Sequence, residues 1–117
     1  MLQLQQKFKN SVSSTEIIIP MYEIELSDDA LADLTWFKKH EQNQILDGVE
    51  ANLPYEPTVE TKNRGRLRPN QTAEWKLRLG KYRVYYDIIE AEKVVIVEAI
   101  GVKVGNRVYF RGKESEL

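Results

Sequence analysis

A chain of 117 residues without cysteine has room for one domain with a single core, and neither a disulfide framework nor a thiolate metal site is open to it. No run of about eighteen apolar residues appears. The N-terminal stretch MLQLQQKFKNSVSS lacks the apolar segment and small-residue cleavage site of a signal peptide, so the expectation is a soluble cytoplasmic protein that makes no use of a membrane.

The formal net charge of -1 hides a separation along the chain. Residues 21–60 carry ten acidic side chains against two basic ones, whereas residues 62–83 carry eight basic ones against Glu74 alone. Such asymmetry points to a polyanion site on one surface of an otherwise acidic body.

Residues 1–20 read as an N-terminal tail, or, from Glu16 to Pro20, as a short edge strand that the proline ends. The domain itself is expected over residues 21–117, and Met21 would serve as a natural start. Tyr22, Ile24 and Leu26 alternate with Glu23 and Glu25, the period of a strand with one wet face. Ser27 then caps a helix whose first turn holds Asp28 and Asp29, at the end where the dipole favours negative charge. Ala30, Leu31, Leu34 and Phe37 form its apolar stripe, and Lys38-Lys39-His40 are expected to end it, which leaves His40 exposed. A second helix is predicted from about Glu41 to Leu53, with Ile45, Leu46, Val49 and Leu53 on one face and Pro54 and Pro57 barring its continuation.

Residues 54–73 read as a long loop rich in Pro, Asn, Thr and basic side chains, a length that is often functional. Three strands follow. Trp75, Leu77 and Leu79 alternate with Lys76 and Arg78; Tyr82, Val84, Tyr86 and Ile88 alternate with Arg83, Tyr85 and Asp87; residues 93–100 are apolar on both faces apart from Glu98, as a central strand should be. A further extended piece, Arg107 to Phe110, comes after the Gly105-Asn106 turn signal. The order β-α-α-β-β-β predicts an α+β domain: an antiparallel β-sheet of about four strands with an N-terminal α-hairpin packed on one face. Trp36 and Trp75 are assigned to the core by their periodic positions.

Gly80-Lys81 fits a two-residue hairpin loop in which glycine accepts positive φ. That fixes a register. Leu79 opposes Tyr82, Leu77 opposes Val84 and Trp75 opposes Tyr86 on the apolar face, while Arg78 sits opposite Arg83 and Lys76 opposite Tyr85 on the other. Like charges so placed cost on the order of 0.2 to 1 kcal/mol. A phosphate held between two guanidiniums and an ammonium would give the arrangement a reason. The plainer alternative is pairing with Glu98, Asp87, Glu114 or Glu116.

The W-K-L-R-L-G-K-Y-R-V-Y-Y hairpin, the V-V-I-V-E-A-I-G strand and the trailing basic residue and tyrosine resemble the RelE/ParE toxin superfamily of bacterial type II toxin-antitoxin systems, over about residues 21–109. The RelE-like resemblance implies a metal-independent mRNA endoribonuclease that acts on the translating ribosome and inhibits translation, without cofactor. It places the catalytic side chains at Lys76, Arg78, Arg83, Lys103 and Tyr109. The implied reaction is attack of a ribose 2′-hydroxyl on the adjacent phosphate, leaving a 2′,3′-cyclic phosphate. Lys76 or Tyr109 would act as general base, either one with a lowered pKa, and Arg78 and Arg83 would stabilise the phosphorane. Lys103 would serve the leaving oxygen. Lys62, Arg64, Arg66 and Arg68 of the loop, with Lys81, extend the expected RNA-binding surface, and Tyr85 is the expected base-stacking ring. The implied partners are a cognate antitoxin, laid over the basic face or against the helix pair, and the ribosome with its mRNA. The alternatives are a ParE-like gyrase-inhibiting toxin and a nonenzymatic RNA- or partner-binding module of the same fold.

Overall fold

Ser27 acts as the helix cap: its hydroxyl accepts the Ala30 N–H at 3.1 Å and opens the first helix of a computed structural model that describes residues 21–115. The segment expected as tail or edge strand over residues 1–20 lies outside the described residues, as does Glu116. The elements run β1 (Glu23–Leu26), α1 (Asp28–Trp36), α2 (Lys39–Asn52), β2 (Arg64–Arg66), β3 (Trp75–Leu79), β4 (Tyr82–Ile89), a short 3-10 turn (Glu90–Glu92), β5 (Val94–Val104), β6 (Arg107–Phe110) and β7 (Lys113–Glu114). The predicted α+β architecture is present, with seven strands among the described residues rather than about four.

The boundary between the helices differs from the sequence reading. α1 stops at Trp36, and the Lys38-Lys39-His40 run opens α2, where the Glu41 carboxylate accepts the Lys38 N–H. The extended backbone of Phe37 and Lys38 separates the two helices, a break the charge pattern did not reveal. Trp36 is also corrected. It lies on the outer side of α1, 53% exposed, with its ring edge-on to Phe37.

The sheet runs β2-β3-β4-β5-β6-β7, antiparallel throughout that path, and β1 joins β5 in parallel. β5 is central, as its two-sided apolar character requires. β4 lines one of its edges; on the other, β1 covers residues 94–97 and β6 covers residues 102–104. α1 closes the gap between them. Ser27 donates its backbone N–H to the Val97 carbonyl and its hydroxyl to the Glu98 carbonyl, and the Asp33 carboxylate accepts the Ile100 N–H at 2.9 Å. Asp33 is 2% exposed, and Arg111 supplies its counter-charge, Nε to Oδ1 at 2.9 Å. A buried carboxylate needs both partners.

The main core lies between helices and sheet. Ala30, Leu34 and Phe37, with Ile45, Val49 and Leu53, meet Trp75, Leu77, Val84, Tyr86, Val95 and Val97. Each large apolar side chain buried there contributes roughly 1.5–3 kcal/mol. Leu31, predicted to join the stripe, is exposed instead. The loop of residues 54–73 gains a strand that the sequence did not reveal, because β2 is only three residues long and carries two arginines. It pairs with β3, placing Arg64 opposite Leu77.

Candidate nucleic-acid interface

The β3–β4 hairpin has the predicted register at all five positions, including Arg78 opposite Arg83 and Lys76 opposite Tyr85. Gly80 takes φ +59°, the left-handed geometry the two-residue turn demands. On β5, Gly101 lies opposite Arg83, so Lys103, two residues on, shares that face. Three adjacent strands therefore bring Lys76, Arg78, Arg83 and Lys103 to one surface.

These cations act on one another. Burial lowers the Lys76 pKa from its ordinary value, and the nearby charges of Arg83, Arg78 and Lys103 lower it further. Arg83 is also held below its usual value, by burial and by Arg78. Among the described residues none of the four reaches a carboxylate at ion-pair distance. Three of the carboxylates that stood as alternative partners are engaged elsewhere, and Glu116 lies outside the described residues. Burial, and then a hydrogen bond with Asp87, raise the Glu98 pKa, and Glu114 pairs with Arg107.

Arg83 is held in place by the hairpin itself. Only 6% exposed, it donates from Nη1 to the Gly80 and Tyr82 carbonyls at 2.6 and 2.8 Å, tying its guanidinium to the hairpin turn. Its Nε and Nη2 hydrogens have no acceptor among the described residues. One edge of the fork is thus fixed and another is open, a geometry suited to bidentate contact with phosphate.

Tyr109 does not join this group. It pairs with Val102, which packs with the helix-side core, and directly opposed residues project to the same face. Its side chain therefore lies on the opposite face from Lys103, which pairs with Val108. The signal was present in the sequence: a two-residue Gly105-Asn106 turn fixes Val104 opposite Arg107 and, by counting, Lys103 opposite Val108. The residue that the count brings to the cation face is Phe110. Its ring lies tilted against Tyr85, centroids 5.5 Å apart, and beside Gly101.

Tyr85 is likewise corrected as a base-stacking ring. At 2% exposure it anchors a second, smaller core with Ala73 and Ala99, flanked by Leu67, Val108 and Phe110. Burial raises its pKa, and the neighbouring Arg83 charge opposes that rise. The apolar patch it anchors continues the cation face, so this side of the sheet is partly covered rather than bare.

The family model for the ParE toxin of type II toxin-antitoxin systems matches residues 24–102, from β1 into β5. The chain belongs to this family. No curated protein sequence matches this ParE-family toxin. Among solved structures, a RelBE toxin-antitoxin complex from Mycobacterium tuberculosis contains a similar chain at 19% identity, covering 71% of this chain and 99% of that one with a TM-score of 0.61. The archaeal RelE-RelB complex from Pyrococcus horikoshii gives 23% identity, coverage of 68% and 92% and a TM-score of 0.54. A mutant of E. coli RelE in the free state gives 24%, 70% and 83%, and 0.54. At these identities the likeness is one of fold.

Several loop cations of the ParE-family toxin already have internal partners, and only Arg64 is buried among them. Arg64 is buried, and its guanidinium donates to the carbonyls of Val59, Asn52 and Tyr55 at 2.8, 3.0 and 3.3 Å, clamping the end of α2 to β2. Arg66 pairs with Glu74 at 2.9 Å and lies over the Trp75 ring, on the helix side of the sheet. Lys81 sits 3.6 Å from the Glu41 carboxylate, which also accepts the Tyr82 hydroxyl; burial first, and then this bond to Glu41, push the Tyr82 pKa up to about 12. Lys62 and Arg68 are exposed. No group of residues able to hold a metal ion occurs among the described residues, and no helix there is long and apolar enough to cross a membrane.

Proposed function

We propose that this chain is a RelE-like toxin whose cation face binds the sugar-phosphate backbone of mRNA on the ribosome and cleaves it without a metal. The observation that carries the reading is a set of four cations from three strands, none within ion-pair distance of a carboxylate among the described residues, although burial and neighbouring cations disfavour the charge of Lys76 and Arg83. A stable fold has no need of such a cluster; a phosphate repays it.

In this reading Lys76, whose neutral form is favoured by its surroundings, takes the proton of a ribose 2′-hydroxyl. The 2′-oxygen attacks the adjacent phosphorus while Arg78 and the open edge of Arg83 stabilise the phosphorane oxygens. The P–O5′ bond breaks, the 5′-oxygen leaves with a proton from Lys103, and a 2′,3′-cyclic phosphate remains. Tyr109 has no part, since its side chain lies on the other face. The partner is a cognate antitoxin, in line with the RelB-bound state of the fold relatives, and its docked segment neutralises the basic face. Translation in the cytoplasm is the setting this activity requires.

The test is cleavage of ribosome-bound mRNA by the wild type and by Lys76→Met and Arg78→Ala, with product ends identified. Cyclic-phosphate ends from the wild type and their loss in both variants support the proposal. Intact mRNA would sink it. A second reading has its own support, because the matching family model is that of ParE and the family's expected tyrosine is off the cation face. Inhibited gyrase with intact mRNA would favour that ParE-like activity, and binding without either effect would leave a nonenzymatic module.

A further inference from the structure

Between the cation face and the sheet's interrupted edge lies a cavity of about 480 Å³, lined in part by Gln71, Asp87, Glu98, Ala99 and Phe110. It opens where β1 and β6 leave the middle of β5 uncovered by a strand. Phe110 connects the two regions: its ring borders the cavity and also lies over Gly101, the residue opposite Arg83. A side chain at position 101 would meet Phe110 Cε1 and Val108 Cγ1 at 2.9 Å, so glycine is what lets this ring settle over β5 at the residue paired with Arg83. Phe110 remains partly exposed, whereas Tyr85 beneath it is covered.

We infer that Phe110 is the stacking surface for one nucleobase of the RNA strand whose phosphate occupies the Lys76–Arg78–Arg83–Lys103 cradle, and that the adjoining cavity receives this base. The inference rests on the RNA-binding reading of that cradle. Opposite charges orient the nucleotide: cations draw the phosphate to one side of the ring, while the hydrogen-bonded Asp87–Glu98 pair on the other side, with one proton shared between two carboxyl groups, keeps a negative charge that repels phosphate and oxygens that accept base N–H groups. An aromatic ring between them offers its face to any base. Phenylalanine has no proton to exchange, so Phe110 is a positioning residue and takes no chemical step.

Short single-stranded RNA carrying 2-aminopurine, and a matched strand with an abasic nucleotide, separate this inference from the cradle itself. The wild type is expected to bind the base-containing strand more tightly and to quench its fluorescence. Phe110→Leu should lose the quenching and weaken binding of that strand about 5- to 150-fold, the measure of one base stack, with little effect on the abasic strand. Phe110→Tyr and Phe110→Trp should restore both. If Phe110→Leu binds both strands as the wild type does, or weakens both equally, the stacking role is overturned while the cradle stands. If the wild type binds neither strand and Arg78→Ala changes nothing, the cradle fails and the inference falls with it.

Discussion

Lys76 shows how position alone alters a side chain's chemistry. Burial and three neighbouring cations lower its pKa, so its charged form is disfavoured in the folded chain relative to the unfolded one. Stability therefore rises with pH from the lowered value up to the ordinary lysine range near 10.5, where the unfolded chain also loses the proton. If Lys76 is the base, single-turnover cleavage should rise with pH and level off below pH 10.5. Lys76→Arg should abolish that rise, because a guanidinium stays charged. Arg78→Thr tests the cost of the cluster. Removing one of two opposed like charges should stabilise the fold by roughly 0.2–1 kcal/mol in urea titration while weakening RNA binding. A variant both less stable and equally active would contradict the cradle.

At the scale of elements, two positions set the geometry that the cations depend on. Gly80→Ala forces a side chain into φ +59° and should cost about 1–2 kcal/mol, read as a lower urea midpoint with unchanged slope. Arg64→Met leaves the Val59, Asn52 and Tyr55 carbonyls without their charged donor, and a loss of roughly 1.5–3 kcal/mol is expected in the same experiment. These two elements also mark what the sequence could reveal. The hairpin was fully legible, because a Gly-led turn and strict alternation leave a single register. β2 was not, since nothing local in Arg64-Gly65-Arg66 favours a strand; the pairing with β3 and the buried clamp of Arg64 make it one. The same limit affected the site. Residue type identified the four cations, but only cross-strand counting reveals that Tyr109 faces away and Phe110 faces them. Arg64 reads as a surface cation, and the pairing of the exposed Lys81 goes unseen, because their partners, the end of α2 and Glu41, are remote in sequence.

Over the whole molecule, charge is sorted by face. The acidic helices cover one side of the sheet and the cation cluster lies on the other, so a nearly neutral chain still presents a concentrated positive field to an approaching polyanion. Four cations without an ion-pair partner among the described residues imply a logarithmic salt slope of about -3 for single-stranded RNA binding. A slope near zero would show that the face meets no backbone phosphate.

The two bonds from Arg83 to the Gly80 and Tyr82 carbonyls have an evolutionary consequence. If the cation cradle carries the toxicity, a cell escaping self-poisoning by altering this guanidinium also loosens the turn that shapes the protein, so such an allele forfeits abundance along with toxicity. Inactive yet well-folded descendants should accordingly have changed at Lys76 or Arg78 first, with Arg83 surviving as a fossil of the lost activity.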